Sequence, residues 1–162
     1  MNRITLILAA VLSLAFTQVT AQDFNKGLKA AQGGDYATAL QEWKPLAEQG
    51  DAKAQFMLGL MYSKGHGVIK DYAEAVKWYR LSAEQGHDGA QHNLGVMYAN
   101  GNGVLKDNVT AHMWLNNASA NGNKKAGANR DKRATLMTPE DISKATVMAR
   151  KCMASNYKKC GY

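Results

Sequence analysis

The sequence has 162 residues with 20 Lys/Arg against 13 Asp/Glu, a formal charge of +7, and its length bounds it to one domain with a real core. Two cysteines, two prolines, abundant Ala and Gly and no β-branched runs point to helices rather than a sheet. Residues 22–118 carry nine Lys/Arg against ten Asp/Glu and residues 119–162 carry ten against three, which excludes a uniformly basic molecule and places the basicity at the C-terminal end.

The first element in chain order is a leader. Arg3 supplies a short positive segment, Ile4 to Phe16 is an apolar run, and Val19-Thr20-Ala21 puts small residues where a signal peptidase cuts. The run is shorter than the about 20 residues of a membrane span, so residues 1–21 are expected to be a signal peptide and the mature chain to begin near Gln22, outside the cytoplasm. Asp23 to Gln49 then reads as a first helix pair, its second helix "GDYATALQEWKPLAEQG" matching "KDYAEAVKWYRLSAEQG" from Lys70 to Gly86.

The centre of the chain repeats. Residues 47–82 aligned with 83–118 at a shift of 36 give 17 identities without a gap, and self-similarity at such a period marks a stacked array of supersecondary units. Ala54, Leu58, Gly59 and Tyr62 recur as Ala90, Leu94, Gly95 and Tyr98, one stripe of a first helix. A glycine inside a helix costs about 1 kcal/mol relative to Ala, so Gly59 and Gly95 are expected to mark places where another helix passes too close for a methyl. Gly65-His66-Gly67-Val68 and Gly101-Asn102-Gly103-Val104 close these helices, and Asp71 and Asp107 are placed to cap the next. These loops lack the Lys-Ser/Thr and the preceding strand of a phosphate-binding loop. Tyr72, Ala75, Trp78, Tyr79, Ser82 and Ala83 in one unit, with Ala111, Trp114, Leu115, Ala118 and Ser119 in the next, form the packing face of the second helix.

Downstream the pattern decays. Gly122 and Ala126 keep phase, but Arg130, Asp131 and Ala134 replace Leu, Gly and Tyr, as a terminal repeat turning a polar face to water requires. Thr138-Pro139-Glu140-Asp141 opens a last helix: a cap hydroxyl, a proline where no N–H is needed, and acids beside the positive end of the dipole. Ile142, Ala145, Ala149, Cys152 and Met153 give its buried face. Cys152 and Cys160 are the only cysteines and, in an exported protein, are expected to form one disulfide.

The motif A-x-x-x-L-G-x-x-Y-x-x-G-x-G-V-x-x-D-x-x-x-A-x-x-W, present from Ala54 to Trp78 and from Ala90 to Trp114, resembles the Sel-one-like repeat, a 36-residue relative of the tetratricopeptide repeat. The resemblance implies an all-α, right-handed superhelical solenoid of about four antiparallel helix pairs with a C-terminal capping helix, used as a scaffold for protein contacts. The units are set at 22–46, 47–82, 83–118 and 119–154, followed by a disulfide-linked tail, 155–162. Bacterial relatives are often exported and serve envelope maintenance, host interaction or toxin neutralisation, and some cysteine-rich ones are linked to penicillin binding and β-lactam hydrolysis. Those carry a cysteine pair in each repeat, which the central units here do not.

No side chains gather in the sequence as a catalytic or cofactor-binding set. His66, His87, His92 and His112 stand where the sister repeat has Asn102, Asp51, Phe56 and Val76. None recurs, and the five-residue spacing of His87 and His92 does not put two ligands on one helix face. Neither a cofactor nor a metal is expected, and no nucleic acid. The sequons at Asn108 and Asn117 fall within a predicted helix and are treated as chance.

The expected function is therefore a non-enzymatic scaffold of the periplasm or cell exterior that binds a protein or peptide, with no membrane span after cleavage. Alternatives are a hydrolase and a binder of anionic envelope polymer through the basic C-terminal end, Lys124, Lys125, Arg130, Lys132 and Arg133. For the scaffold, the face of the first helices not committed to packing runs through Lys53, Met57, Leu60 and Lys64 and, one unit on, Gly89, Asn93, Val96 and Asn100. Phe56, Met57, Leu60, His92, Asn93 and Val96 are expected to form the binding groove on the concave side, because residues that hold a solenoid keep their identity from unit to unit and these do not.

Overall fold

A computed structural model describes residues 23–160; the leader expected at 1–21 and the last two residues lie outside them. The described residues contain helices α1 (Phe24–Gln32), α2 (Tyr36–Glu48), α3 (Ala52–Lys64), α4 (Tyr72–Ala83), α5 (Asp88–Asn100), α6 (Asn108–Ala120), α7 (Ala126–Ala134) and α8 (Pro139–Ala154), and no strand. Each helix packs on the next from α1 to α7, so the chain is an α/α solenoid of helix pairs. The first helices α3 and α5 also touch directly across the repeat boundary, and the side of the stack that the first helices form is its inner face.

Local chemistry sets the helix ends. Asp23, Asp35, Asp51, Asp71 and Asp107 each accept backbone N–H groups of the helix they precede, and Thr138 does so for α8, satisfying donors a helix cannot pair internally. Helices α3 and α5 end at Gly65 (φ 74°) and Gly101 (φ 75°), left-handed conformations glycine adopts without cost. The second glycine of each loop is left-handed as well, φ 70° at Gly67 and 69° at Gly103, and has a further reason. A Cβ on Gly103 would stand 2.3 Å from the Tyr72 carbonyl oxygen, and one on Gly67 would stand 3.0 Å from that of Tyr36. Each loop thus lies against the start of the second helix one unit upstream.

The units are clasped by a polar pair that recurs with them. Gln55 Nε2 donates to the Ala47 carbonyl and Gln91 Nε2 to that of Ala83, both at 3.1 Å and buried. Gln85 donates to Gln55 Oε1 and Asn121 to Gln91 Oε1, at 2.8 and 2.9 Å. Buried amides are tolerated when so paired. The Ala-Glu-Gln-Gly stretches are the last turn of α2 and α4 with the turn that follows; a period fixes the length of a repeat and leaves its phase free.

The apolar core follows the same order. Ala39, Trp43, Ala47, Ala54, Leu58 and Met61 hold α1–α3 together. A larger cluster built on Tyr79, Leu94, Tyr98, Met113 and Trp114 joins α4–α6 and extends to Ala149 and Cys152 of α8. Trp114 is fully buried, whereas Trp78 is half-buried against the first cluster. The last pair departs from the others: α8 lies on α6, with little contact to α7. It presents Ala145, Ala149 and Cys152, with Ile142 and Met153 half-buried. Asn117 of α6 is fully buried, so one of the two sequons is inaccessible in the folded chain. Helix α7 buries Ala126 alone. Cys152 and Cys160 are joined by a disulfide, and the tail turns back so that the Tyr157 hydroxyl donates to Asn121 Oδ1 at 2.7 Å.

Candidate functional site

Three clefts lie in series along the inner face, one between each neighbouring pair of first helices. The first, about 230 Å³, has Trp43, Met57, Leu60 and Met61 in its walls beneath Lys64 and His66. The second, about 340 Å³, is lined by Leu60, Ser63, Lys64, Tyr79, Asn93 and Val96. The third, about 180 Å³, has Val96 and Leu115 below Asn100, Asn129, Lys132 and Arg133. Val96 and Leu60 each serve two clefts, so the three form one continuous track.

The floor of every cleft comes from the second helix of the pair, through a glycine of the first. Trp43, Tyr79 and Leu115 are one repeat apart, and each lies against a glycine. A Cβ on Gly27 would be 2.5 Å from Trp43 Nε1, one on Gly59 2.5 Å from the Tyr79 ring, and one on Gly95 2.9 Å from Leu115 Cγ. Real Cβ atoms do not approach so closely, so the glycines expected to mark close crossings do so, and Gly27 adds a third. The missing methyl lets a large side chain of the second helix come up beneath the cleft while staying buried. Burial pushes the Tyr79 hydroxyl up, opposed by hydrogen bonds with Ser63 and Asn93. At neutral pH it is therefore a neutral hydroxyl held within those hydrogen bonds.

Of the six residues expected to line a groove, Met57, Leu60, Asn93 and Val96 do. Phe56 does not: its ring packs on Tyr79, with centroids 6.0 Å apart, and stacks on His87 at 4.6 Å. It sits one position round the helix from Met57, a turn of about 100°, and so faces the neighbouring helices. His92 does not line a cleft either, but it holds two residues that do. Its Nε2 accepts from Asn129 Nδ2 at 2.8 Å, and its Nδ1 therefore carries the proton that goes to Asn93 Oδ1 at 3.2 Å. The imidazole thus ties α5 to α7 and fixes the amides of Asn93 and Asn129 toward the clefts.

The other histidines have separate structural places. His66 stacks on Tyr36 at 4.4 Å. His87, where the sister repeat has Asp51, is the N-cap of α5, its Nδ1 accepting from the Ala90 N–H at 3.2 Å. That role requires an unprotonated nitrogen, and burial first, then Lys53, holds the group below its ordinary range against Asp88 and Asp51. Burial and Arg130 do the same to His112. Among the described residues no three His, Cys, Asp or Glu side chains gather as a metal site, and no helix is long and apolar enough to cross a membrane.

The electrostatics of the track are one-sided. Lys64, Lys132 and Arg133 line it and no Asp or Glu does. Carboxylates at the first helices are engaged: Asp51 caps α3, Asp88 of α5 accepts from Asn123 Nδ2 at 3.1 Å, and Asp131 of α7 is paired with Arg130 at 2.8 Å.

Comparison with known proteins bears on this arrangement. A family model described as Sel1 repeat matches residues 52–87 and 89–123. Among solved structures, the chain is similar to a protective antigen present in uropathogenic Escherichia coli strains displaying an SLR fold, with 30% identity and a TM-score of 0.78 over 84% of this chain and 30% of that one. It is also similar to a Sel1 repeat protein from Oxalobacter formigenes, with 35% identity and a TM-score of 0.62 over 67% of this chain and 85% of that one. The chain thus spans less than a third of the first relative's length and most of the second's. No curated protein matches the sequence significantly.

Proposed function

The chain belongs to the Sel1 repeat family, and from that premise we propose that it is a non-enzymatic interaction scaffold of the bacterial cell envelope, binding a protein or peptide segment along its inner face. Sel1 repeats are a helical scaffold type that typically mediates protein interaction. The observation that carries the more specific reading is the track of three clefts, apolar at the floor and polar at the rim, repeating with the first helices. A concave, largely apolar surface with a few placed polar groups is the usual form of a binding site, and the concave side of a solenoid offers it over an extended length. The predicted leader supports placement in the periplasm or outside the cell.

The test is affinity capture from envelope extracts with the chain from Gln22 and with Leu60→Ser/Asn93→Glu, both positions lining the central cleft. A partner retained by the wild type and lost by the double variant, with circular dichroism unchanged, supports the reading. Equal retention by both moves the binding surface off this face.

A further inference from the structure

The charge and spacing of the track define what it would hold. Residues at the inner-face positions recur with the 36-residue period as Lys53, Met57, Leu60 and Lys64 in α3, Gly89, Asn93, Val96 and Asn100 in α5, and Asn129 and Lys132 in α7. No carboxylate occupies any of these positions, and none lines the three clefts. We propose that the inner face takes an extended acidic polypeptide segment whose apolar side chains, spread along it, enter the successive clefts. This rests on the scaffold reading and adds the chemistry of the partner.

Three observations fix those properties. The cations stand above apolar floors made by Trp43, Tyr79 and Leu115, so the ligand must supply both negative charge and apolar side chains, a combination acidic polysaccharides and nucleic acid backbones lack. The clefts lie one after another between successive first helices, so apolar side chains that fill more than one of them must be spread along an extended chain rather than grouped. Asn93 and Asn129, held by the two nitrogens of His92, present amides that can donate to and accept from a peptide backbone. A lysine rim with exposed side chains also attracts an acidic ligand over a distance of about 10 Å at ordinary salt.

The experiment uses the chain from Gln22, which contains every described helix, and fluorescently labelled synthetic peptides read by anisotropy. One peptide has Leu at every third position with Asp and Glu between; a second has Lys in place of the acids; a third has the same acids with the leucines grouped together. The acidic, evenly spaced peptide is expected to bind at least tenfold more tightly than either of the others, and to weaken as salt rises. Lys64→Glu/Lys132→Glu, both at solvent-exposed side chains, should reverse the preference toward the Lys peptide while the circular dichroism spectrum stays that of the wild type. Equal binding of acidic and basic peptides, indifference to leucine spacing, or an unchanged preference in the charge-reversed variant overturns the inference. So does competition by a leucine-free polyanion as effective as the acidic peptide, which would make the face a polyanion site. If no peptide binds while envelope capture still depends on Leu60 and Asn93, the acidic segment is refuted and the scaffold reading stands.

Discussion

A methyl group added at Gly59 tests how the inner surface is built. Gly59→Ala would place a Cβ 2.5 Å from Cδ1 and Cε1 of Tyr79, about an ångström inside van der Waals contact, so the ring must retreat. It has little room, being 2% exposed, packed against Phe56 and bonded through its hydroxyl to Ser63. Overpacking of this kind costs about 1–3 kcal/mol, and the better helix propensity of Ala returns about 1 kcal/mol. The net loss is expected to be up to about 2 kcal/mol, or a melting temperature lower by up to roughly 4–8 °C for a chain of this size. Tyr79→Leu, which installs the residue the sister unit has at Leu115, should relieve the clash at the expense of a smaller core side chain. Urea unfolding followed by circular dichroism on the wild type, both single variants and the double variant gives the coupling. A double variant at least 1 kcal/mol more stable than additivity predicts supports the glycine-and-ring account. Additivity within about 0.5 kcal/mol refutes it.

Two further predictions concern the ends of elements. Cys160→Ser opens a ring with a sequence separation of 8, worth about 2–3 kcal/mol in the loop-closure picture; it should free Tyr157 from Asn121 and lower the melting temperature while the α1–α4 region keeps its hydrogen-exchange protection, and two titratable thiols in the native, unreduced protein would contradict it. His87 titrates lower in the folded chain than its ordinary value of 6.5, so its contribution to stability is present above about pH 6.5 and is lost as pH falls below that. His87→Asp, which copies Asp51 of the sister unit, should shrink the loss of melting temperature between about pH 7.5 and 5.5, leaving the part due to His112; identical losses in variant and wild type would show that the cap does not titrate.

Much of the fold was legible because a solenoid writes its contacts into its period. The recurrence of Ala54, Leu58, Gly59 and Tyr62 identified the packing stripe, and Asp71, Asp107 and Thr138 were placed as caps from side-chain chemistry alone. His87 was visible as the counterpart of Asp51, yet an imidazole is an unusual cap and spacing tests for metal ligation do not reveal it. The buried Gln55 and Gln91 were equally recurrent, but a glutamine reads as surface until a backbone carbonyl is seen to meet it. Within the groove, periodicity gave the face and put Met57, Leu60, Asn93 and Val96 on it. It did not separate them from Phe56 and His92, because residues one step round a helix differ by their neighbours on other helices. The seating of α8 on α6 was closed to sequence for the same reason: an apolar stripe says that a helix is covered and leaves its partner open.

Site-specific photo-crosslinking tests the central claim, that the inner face is where the partner lies. A photoreactive phenylalanine analogue placed at position 96, on the track between two clefts, and at position 147, on the exposed side of α8, would be exposed to the same envelope extract. A partner joined covalently through position 96 and not through position 147 is the predicted result. Crosslinking through 147 with none through 96 would contradict it.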